Sequence, residues 1–371
     1  MQSERSERWL ALDAFRALAV LWMIQGHTFT ALLSPETRYT GVWVQLYSLL
    51  HGLTAPMFLV GAGLSYGLVA SLCDTPARSA VLRGRLLRRA LLLFVLGTVL
   101  QLPAASPLGI LRSRELLAGS LQLGALQLIA FCLAACELLR ALWPRRWPLA
   151  AALLCAALAL CAPWIWNARL SAHALLGTWI DGHAGSLFPL APWACFFLAA
   201  AAFTGLLGRR RPSPGWLITC GLVLSALCYA CYRAGFTLRA VYGEHAFWHA
   251  NPLFLIFRAG LAAAWLGVLC SCEPVLRRVW SAADGGGMMP LLARHSLVAY
   301  VVHLLLLYGT PFSKGLARTG ASWDPLETWV AFIWVLGVTL ACVWAWPRLL
   351  RFSASRAVRE LWPGVPGARR S

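Results

Sequence analysis

Charge is what this sequence has least of. Only 12% of its 371 residues are Asp, Glu, Lys or Arg, about half the roughly 25% of a soluble globular domain. That deficit excludes a water-soluble protein of two ordinary domains and leaves an integral membrane protein. Lysine is almost missing: Lys314 stands alone, so the 32 basic residues are otherwise arginine, set against 14 acidic ones. No G-x-S-x-G, P-loop, HExxH or paired CxxC occurs, so no motif supports a hydrolase, an ATPase or a zinc enzyme. No A-x-A-type cleavage site follows MQSERSERW, which reads as a tail ahead of a retained first helix. The expected outer loops carry no cysteine, so no disulfide framework is implied. The twelve cysteines fall almost entirely in apolar stretches. Even Cys228/Cys231 and Cys270/Cys272 read there as small packing residues.

What is present is apolar length. Hydrophobic residues make up 60% of the chain. Apolar runs mark ten expected membrane spans, at 9–33, 48–72, 86–104, 117–139, 147–166, 186–207, 214–233, 252–272, 290–312 and 325–347. The fold class is therefore all-α, a polytopic membrane protein of about ten transmembrane helices. The formal charge of +18 is not spread as a nucleic-acid face. It clusters between apolar runs at Arg83/Arg85/Arg88/Arg89, Arg145/Arg146, Arg209/Arg210/Arg211 and Arg277/Arg278. Under the positive-inside rule those segments are cytoplasmic, and both termini with them. The expected organisation is a cytoplasmic tail (1–8), a single transmembrane domain (9–347) and a basic cytoplasmic tail (348–371). Most of the nineteen tryptophans fit an interfacial belt. Trp43, Trp179, Trp248 and Trp323 are the candidates for stacking on a sugar.

Against this background the ionisable residues inside spans stand out. Arg16 and His27 share the first span. Eleven residues at about 100° each make three turns plus roughly 20°, so the two lie on one stripe about 16 Å apart along the axis. Asp13 falls near the same stripe. A central Arg or Asp in a membrane helix costs roughly 2.5–3.5 kcal/mol, which marks such residues as functional candidates. His51 opens the second span in HGLTAPMF. Asp181 and His183 sit in a loop before FPLAPW, Glu244, His245 and His249 in the loop before the eighth span, and Arg258 about six residues into it. His303 is mid-span in the ninth. Blander readings stand beside these. Arg16 snorkels to headgroups, His27 is satisfied by a backbone carbonyl, His51 stabilises a helix start, and Asp181–Gly182 is an ordinary turn. His295 reads as structural, and GAGLSYG (Gly61, Gly63, Gly67) as a close helix-packing face. Histidine suits a general base because its unperturbed pKa lies nearest ambient pH. Arginine suits a phosphate or pyrophosphate.

Taken in order, the segments LDAFRALAVLWMIQGH, HGLTAPMFLVGAGLS, RGRLLRRALLLFVLG, LQLGALQLIAF, FPLAPW, NPLFLIFRAGL and ARHSLVAYVVHLLLLYG carry a resemblance. The chain resembles bacterial membrane proteins that share the heparan-α-glucosaminide N-acetyltransferase catalytic domain. More distantly it is similar to the acyltransferase-3 family of sugar O-acyltransferases. The resemblance implies transfer of an acyl group, foremost acetyl, from cytoplasmic acyl-CoA (acetyl-CoA) to a carbohydrate or glycolipid across the cell inner membrane. It implies no permanently bound cofactor. Carried over, His27 is the catalytic histidine, Arg16 aids donor binding or site architecture, and Arg85 and Arg88 hold the CoA phosphates. The lysosomal enzyme has an Asn where His27 stands, and its catalytic His precedes the Gly-Leu-Thr segment by several residues. That leaves the base open between His27 and His51. Asp181, His183, Arg258 and His303 are the expected acceptor-side residues. The alternative from another class is a transporter or proton-coupled permease using the same His and Arg groups; a non-catalytic scaffold leaves them unexplained.

Overall fold

The structure is a computed structural model. It describes residues 9–38, 42–73, 75–102, 107–170, 175–183, 185–282, 287–310 and 313–352, without side chains for 42–51, 107–108, 114, 175–176, 281–282 and 351–352. Twelve helices frame the described residues. They are α1 (Leu10–Leu32), α2 (Val42–Ser71), α3 (Pro76–Gln101), α4 (Ala125–Leu142), α5 (Trp147–Ala168), α6 (Leu190–Leu207), α7 (Pro214–Arg233), α8 (Pro252–Ser271), α9 (Glu273–Ala282), α10 (Met288–Arg294), α11 (Ser296–Tyr308) and α12 (Pro325–Phe352). Shorter helical pieces lie in the connections. Among the described residues seven helices are long and apolar enough to cross a membrane, or eight if the bent pair α10–α11 is one span. Helices α1 and α3, at 23 and 26 residues, also have the length to cross at 1.5 Å per residue. Their apolarity is diluted by Asp13 and Arg16 in one and by a run of arginines in the other.

Three of these helices start by the same local rule. Thr75-Pro76, Ser213-Pro214 and Asn251-Pro252 each place a capping side chain before a proline at the first helical position. Thr75 Oγ1 accepts from the Arg78 amide at 3.3 Å, Ser213 Oγ from Trp216 at 3.3 Å, and Asn251 Oδ1 from Leu253 at 2.8 Å. Each cap satisfies an orphan amide, and proline lacks the one it would have left bare.

Helix α1 is the central post. Ala11, Phe15, Ala17, Ala19, Val20, Ile24 and Leu32 are all fully buried, and they point in every direction round its axis. A helix buried all round belongs at the middle of a bundle. It packs on α2, α8, α10, α11 and α12. The helices at the edge are the reverse: Leu149, Leu153 and Leu160 on α5, and Val330, Ile333 and Trp334 on α12, are each at least half exposed. Outward leucine and valine are what lipid-facing surfaces require. Between helices, the contact is close because small residues permit it. A Cβ on Gly63 would strike the Phe197 carbonyl of α6, and one on Gly67 would strike Thr204 and the Ala201 carbonyl. Thr204 Oγ1 in turn donates to the carbonyls of Leu64 (3.1 Å) and Ala200 (3.0 Å). The close-packing reading of GAGLSYG therefore holds for Gly63 and Gly67. Gly63→Ala is expected to cost about 1–3 kcal/mol by overpacking, read as a lower thermal-unfolding midpoint of the purified protein. Gly215→Ala, where a Cβ meets nothing within 4 Å, is the control. Equal midpoints for the two variants would refute the contact.

Three expectations from apolar runs need correction. The span expected at 117–139 is the helix Ala125–Leu142, preceded by a separate short helix, Arg114–Ser120, and the non-helical residues 121–124. The span expected at 86–104 begins ten residues earlier, so Arg83, Arg85, Arg88 and Arg89 lie on α3 rather than in a loop. Arginine is a good helix former, and the helix continues past its apolar part. The span expected at 290–312 is broken: α10 and α11 meet at 87°, with His295 buried at the bend.

Candidate active site and its two cavities

The ionisable residues of α1 meet two different surroundings. At the arginine-rich end, the Arg16 stem packs on Gly61 of α2, with its Cγ 3.0 Å from where a Cβ would stand. The guanidinium reaches Ser296 Oγ at 3.4 Å, at the first residue of α11. Arg16 and Ser296 line a cavity of about 430 Å³ together with Arg85, Arg88 and Arg89 of α3. Its inner wall is apolar, including Phe58, Leu126 and Phe197. No carboxylate is among its described lining residues. Glu137, behind the wall at Tyr66, is already committed. It accepts from the Tyr66 hydroxyl at 2.8 Å and from Arg140 Nη2 at 3.0 Å, both buried. Arg140 also donates to the Ser79 carbonyl at 3.1 Å. This network ties α2, α3 and α4 together while leaving the cavity strongly cationic.

Eleven residues further along α1, His27 Nδ1 lies 2.9 Å from His303 Nε2 on α11. His303 Nδ1 lies 2.7 Å from the Ala299 carbonyl oxygen. The carbonyl can only accept, so His303 carries its proton on Nδ1. Nε2 of a neutral His303 then accepts, and His27 must donate to it from Nδ1. In the neutral pair the basic lone pair of His27 is therefore on Nε2. His303 is fully buried and His27 half-buried. Their rings stack at 5.2 Å, with Tyr308 edge-on to His27 at 6.3 Å. An aromatic layer separates this pair from the cationic cavity. Phe58, in the cavity wall, stacks on Tyr300 at 6.0 Å, and Tyr300 sits edge-on to His303 at 5.8 Å.

Arg258 is at the far end. Its guanidinium presses against Gly52 of α2, where a Cβ would strike it, and lies 5.4 Å from the Phe257 ring. Both Gly52 and Arg258 line a second cavity, of about 1340 Å³, walled by Trp166, Trp193, Trp248 and His249 among others. Helices α1 and α2 run antiparallel, with Arg16 on Gly61. Eleven residues along one and eleven back along the other bring His27 level with the Leu50–His51 pair. His51 precedes Gly52 in the chain, and its side chain lies outside the described residues. Asp181 and His183 do not line that cavity; they shape its rim. Asp181 Oδ1 accepts from the His183 amide at 3.0 Å, an Asx turn, and His183 Nε2 donates to the Trp166 carbonyl at 2.8 Å. Gly182 between them faces the cavity. Of the tryptophans singled out for sugar stacking, Trp248 is in the wall. Trp179 packs on Phe94 and Phe131 and donates to the Leu121 carbonyl. Trp323 pairs its backbone with Leu32 and Ser34, and the side chain of Trp43 lies outside the described residues. Sequence reasoning passed over Arg89, Arg233, Trp166 and Trp193 as site residues; Arg89 had a signal in the arginine cluster of RGRLLRRALLLFVLG and Trp193 in FPLAPW.

The model of the family described as "Heparan-alpha-glucosaminide N-acetyltransferase, catalytic" matches residues 8–234. The chain belongs to that family. The match spans α1 to α7, and so includes Arg16, His27, His51, Arg85, Arg88, Asp181 and His183. Arg258 and His303 lie beyond it. Membership implies a multi-pass membrane acetyltransferase, with acetyl-CoA as the co-substrate general to the family. No curated protein sequence matches the chain.

Proposed function

We propose that this protein moves an acetyl group from cytoplasmic acetyl-CoA to a hydroxyl or amine of a carbohydrate on the outer side of the cell inner membrane. The chain then crosses ten times, α1 to α8, the broken α10–α11 pair and α12, with both termini and the arginine-rich end cytoplasmic. The observation that carries the reading is the convergence of Arg16, Arg85, Arg88 and Arg89 on one cavity whose described lining holds no carboxylate. Such a cavity favours a polyanion at its mouth and an apolar arm within. Arg85, Arg88 and Arg89 take the nucleotide phosphates. The pantetheine arm runs inward past Arg16 toward Phe58. The N-terminus of α11, at Ser296, adds its positive dipole end to the same wall.

The thioester then lies on one side of the Phe58–Tyr300 layer and the His303–His27 pair on the other. Movement of that layer lets the acyl carbon meet the acceptor. His27 Nε2 takes the acceptor proton as the acceptor oxygen or nitrogen bonds to the acyl carbon and the thioester C–S bond breaks. The resulting imidazolium, steadied by His303 Nε2, whose other nitrogen is anchored on Ala299, returns that proton to the departing CoA thiolate. His51, at the same level on α2, is the competing base. Arg258 and the loop of Asp181 and His183 serve the acceptor side. Acetyl-CoA is expected to raise the thermal-unfolding midpoint of the purified protein, with inorganic phosphate at equal concentration giving no shift. Identical behaviour toward the two would sink the donor assignment.

A further inference from the structure

The second cavity has a shape that a soluble sugar does not need. On α7 it is lined by Leu222, Ala226, Tyr229 and Arg233, spaced four, three and four, so one helix face forms the wall. Leu222 is eleven residues before Arg233, about 16 Å deeper at 1.5 Å per residue. That depth is about half of a ~30 Å hydrocarbon layer. Beside it, Phe257, Arg258 and Leu261 of α8 continue the wall downward. The α7 face is not sealed by other helices: Leu222 is 50% exposed and Tyr229 45%. Among the described residues α7 packs on α8 and has no comparable packing on α5 or α6, so the slot opens sideways between α7 and the α5–α6 side.

Its chemistry is graded. Arg233, His249 and Trp248 surround the mouth. Arg258 stands on the α8 wall, and the deep wall is leucine and phenylalanine. No carboxylate is among its described lining residues. Aromatic faces suit a sugar ring, guanidinium groups suit a phosphate, and a half-exposed leucine wall at bilayer depth suits a hydrocarbon chain. We infer that the acceptor is lipid-anchored: a sugar joined through a phosphate to a long hydrocarbon chain, which enters laterally between α7 and the α5–α6 side. The inference rests on the acetyltransferase reading and names its acceptor class.

The test is equilibrium binding of tritiated farnesyl phosphate to the full chain in maltoside micelles, with acetyl-CoA binding measured in parallel. Saturable binding is expected. Farnesol should compete at least tenfold less well, and inorganic phosphate should not compete. Leu222→Trp, which fills the slot from its lipid side, and Arg233→Gln should each weaken farnesyl phosphate at least tenfold while acetyl-CoA binding stays unchanged. Effective competition by inorganic phosphate would mean a soluble-anion site and overturn the inference. So would equal competition by farnesol, no saturable binding, or variants that bind as wild type. If a variant also loses acetyl-CoA it has not folded, and the wild-type competition series decides. A wild-type protein that binds no acetyl-CoA instead removes the underlying acetyltransferase reading, so the two failures are distinguishable.

Discussion

Acetyl transfer is expected to fall about 10²–10⁴-fold in His27→Ala, the range for losing a positioned general base. The measurement is transfer from radiolabelled acetyl-CoA in proteoliposomes. In the proposed mechanism His303 acts through His27 and not on the substrate, so it should behave differently. Its Nε2 accepts from His27 over 2.9 Å while its Nδ1 is held by the Ala299 carbonyl. His303→Gln retains an acceptor oxygen and should keep more activity than His303→Leu, which has none. Both should lower kcat and leave KM for acetyl-CoA unchanged, since Phe58 and Tyr300 separate the pair from the donor cavity. Equal activity in His303→Gln and His303→Leu would leave the histidine pair as packing alone. Full activity in His27→Ala combined with loss in His51→Ala would move the base to α2. Full activity in both would remove histidine base catalysis altogether.

The double variant Arg85→Ala/Arg88→Ala is expected to raise KM for acetyl-CoA about 10–100-fold with little change in kcat. Both side chains are exposed at the cavity mouth, so each contributes about 1 kcal/mol, as for screened surface pairs, and not the larger value of a buried one. Screening also predicts that the wild-type KM rises with ionic strength. S-acetylpantetheine, which lacks the nucleotide phosphates, separates a specific effect from damage to the fold. Its KM should be the same in wild type and variant. If both donors weaken together, the arginines support the cavity and do not read phosphate.

Much of this site was legible because single helices obey fixed geometry. The eleven-residue interval placed Arg16 and His27 on one stripe of α1 at two depths, and the structure keeps them at separate sites. The arginine cluster was legible as one electrostatic group, but its helix was not: a hydropathy window sees only the apolar part of α3. The break at His295 was also hidden. Arg294, His295 and Ser296 stand at the bend with neither a glycine nor a proline among them, and polar residues alone do not end a helix. Asp181 and His183 were read as acceptor ligands because they are polar and near the expected outer surface. In the structure Asp181 Oδ1 accepts from the His183 amide and His183 Nε2 donates to the Trp166 carbonyl, loop bonds whose partners no sequence pattern reveals.

The sequence by itself determined the class of protein. A 12% charged content and long apolar runs permit no water-soluble fold, and ordered family segments narrow the chemistry to acyl transfer. Tertiary structure alone decided partnership. It put His27 on His303, 276 positions away, Arg16 with the arginines of α3, and Arg258 against Gly52. The physical reason is that helix periodicity fixes which residues share a face and at what height. Which faces then meet depends on side-chain volume at close contacts such as Gly63 on Phe197, and that information is spread over every helix of the bundle.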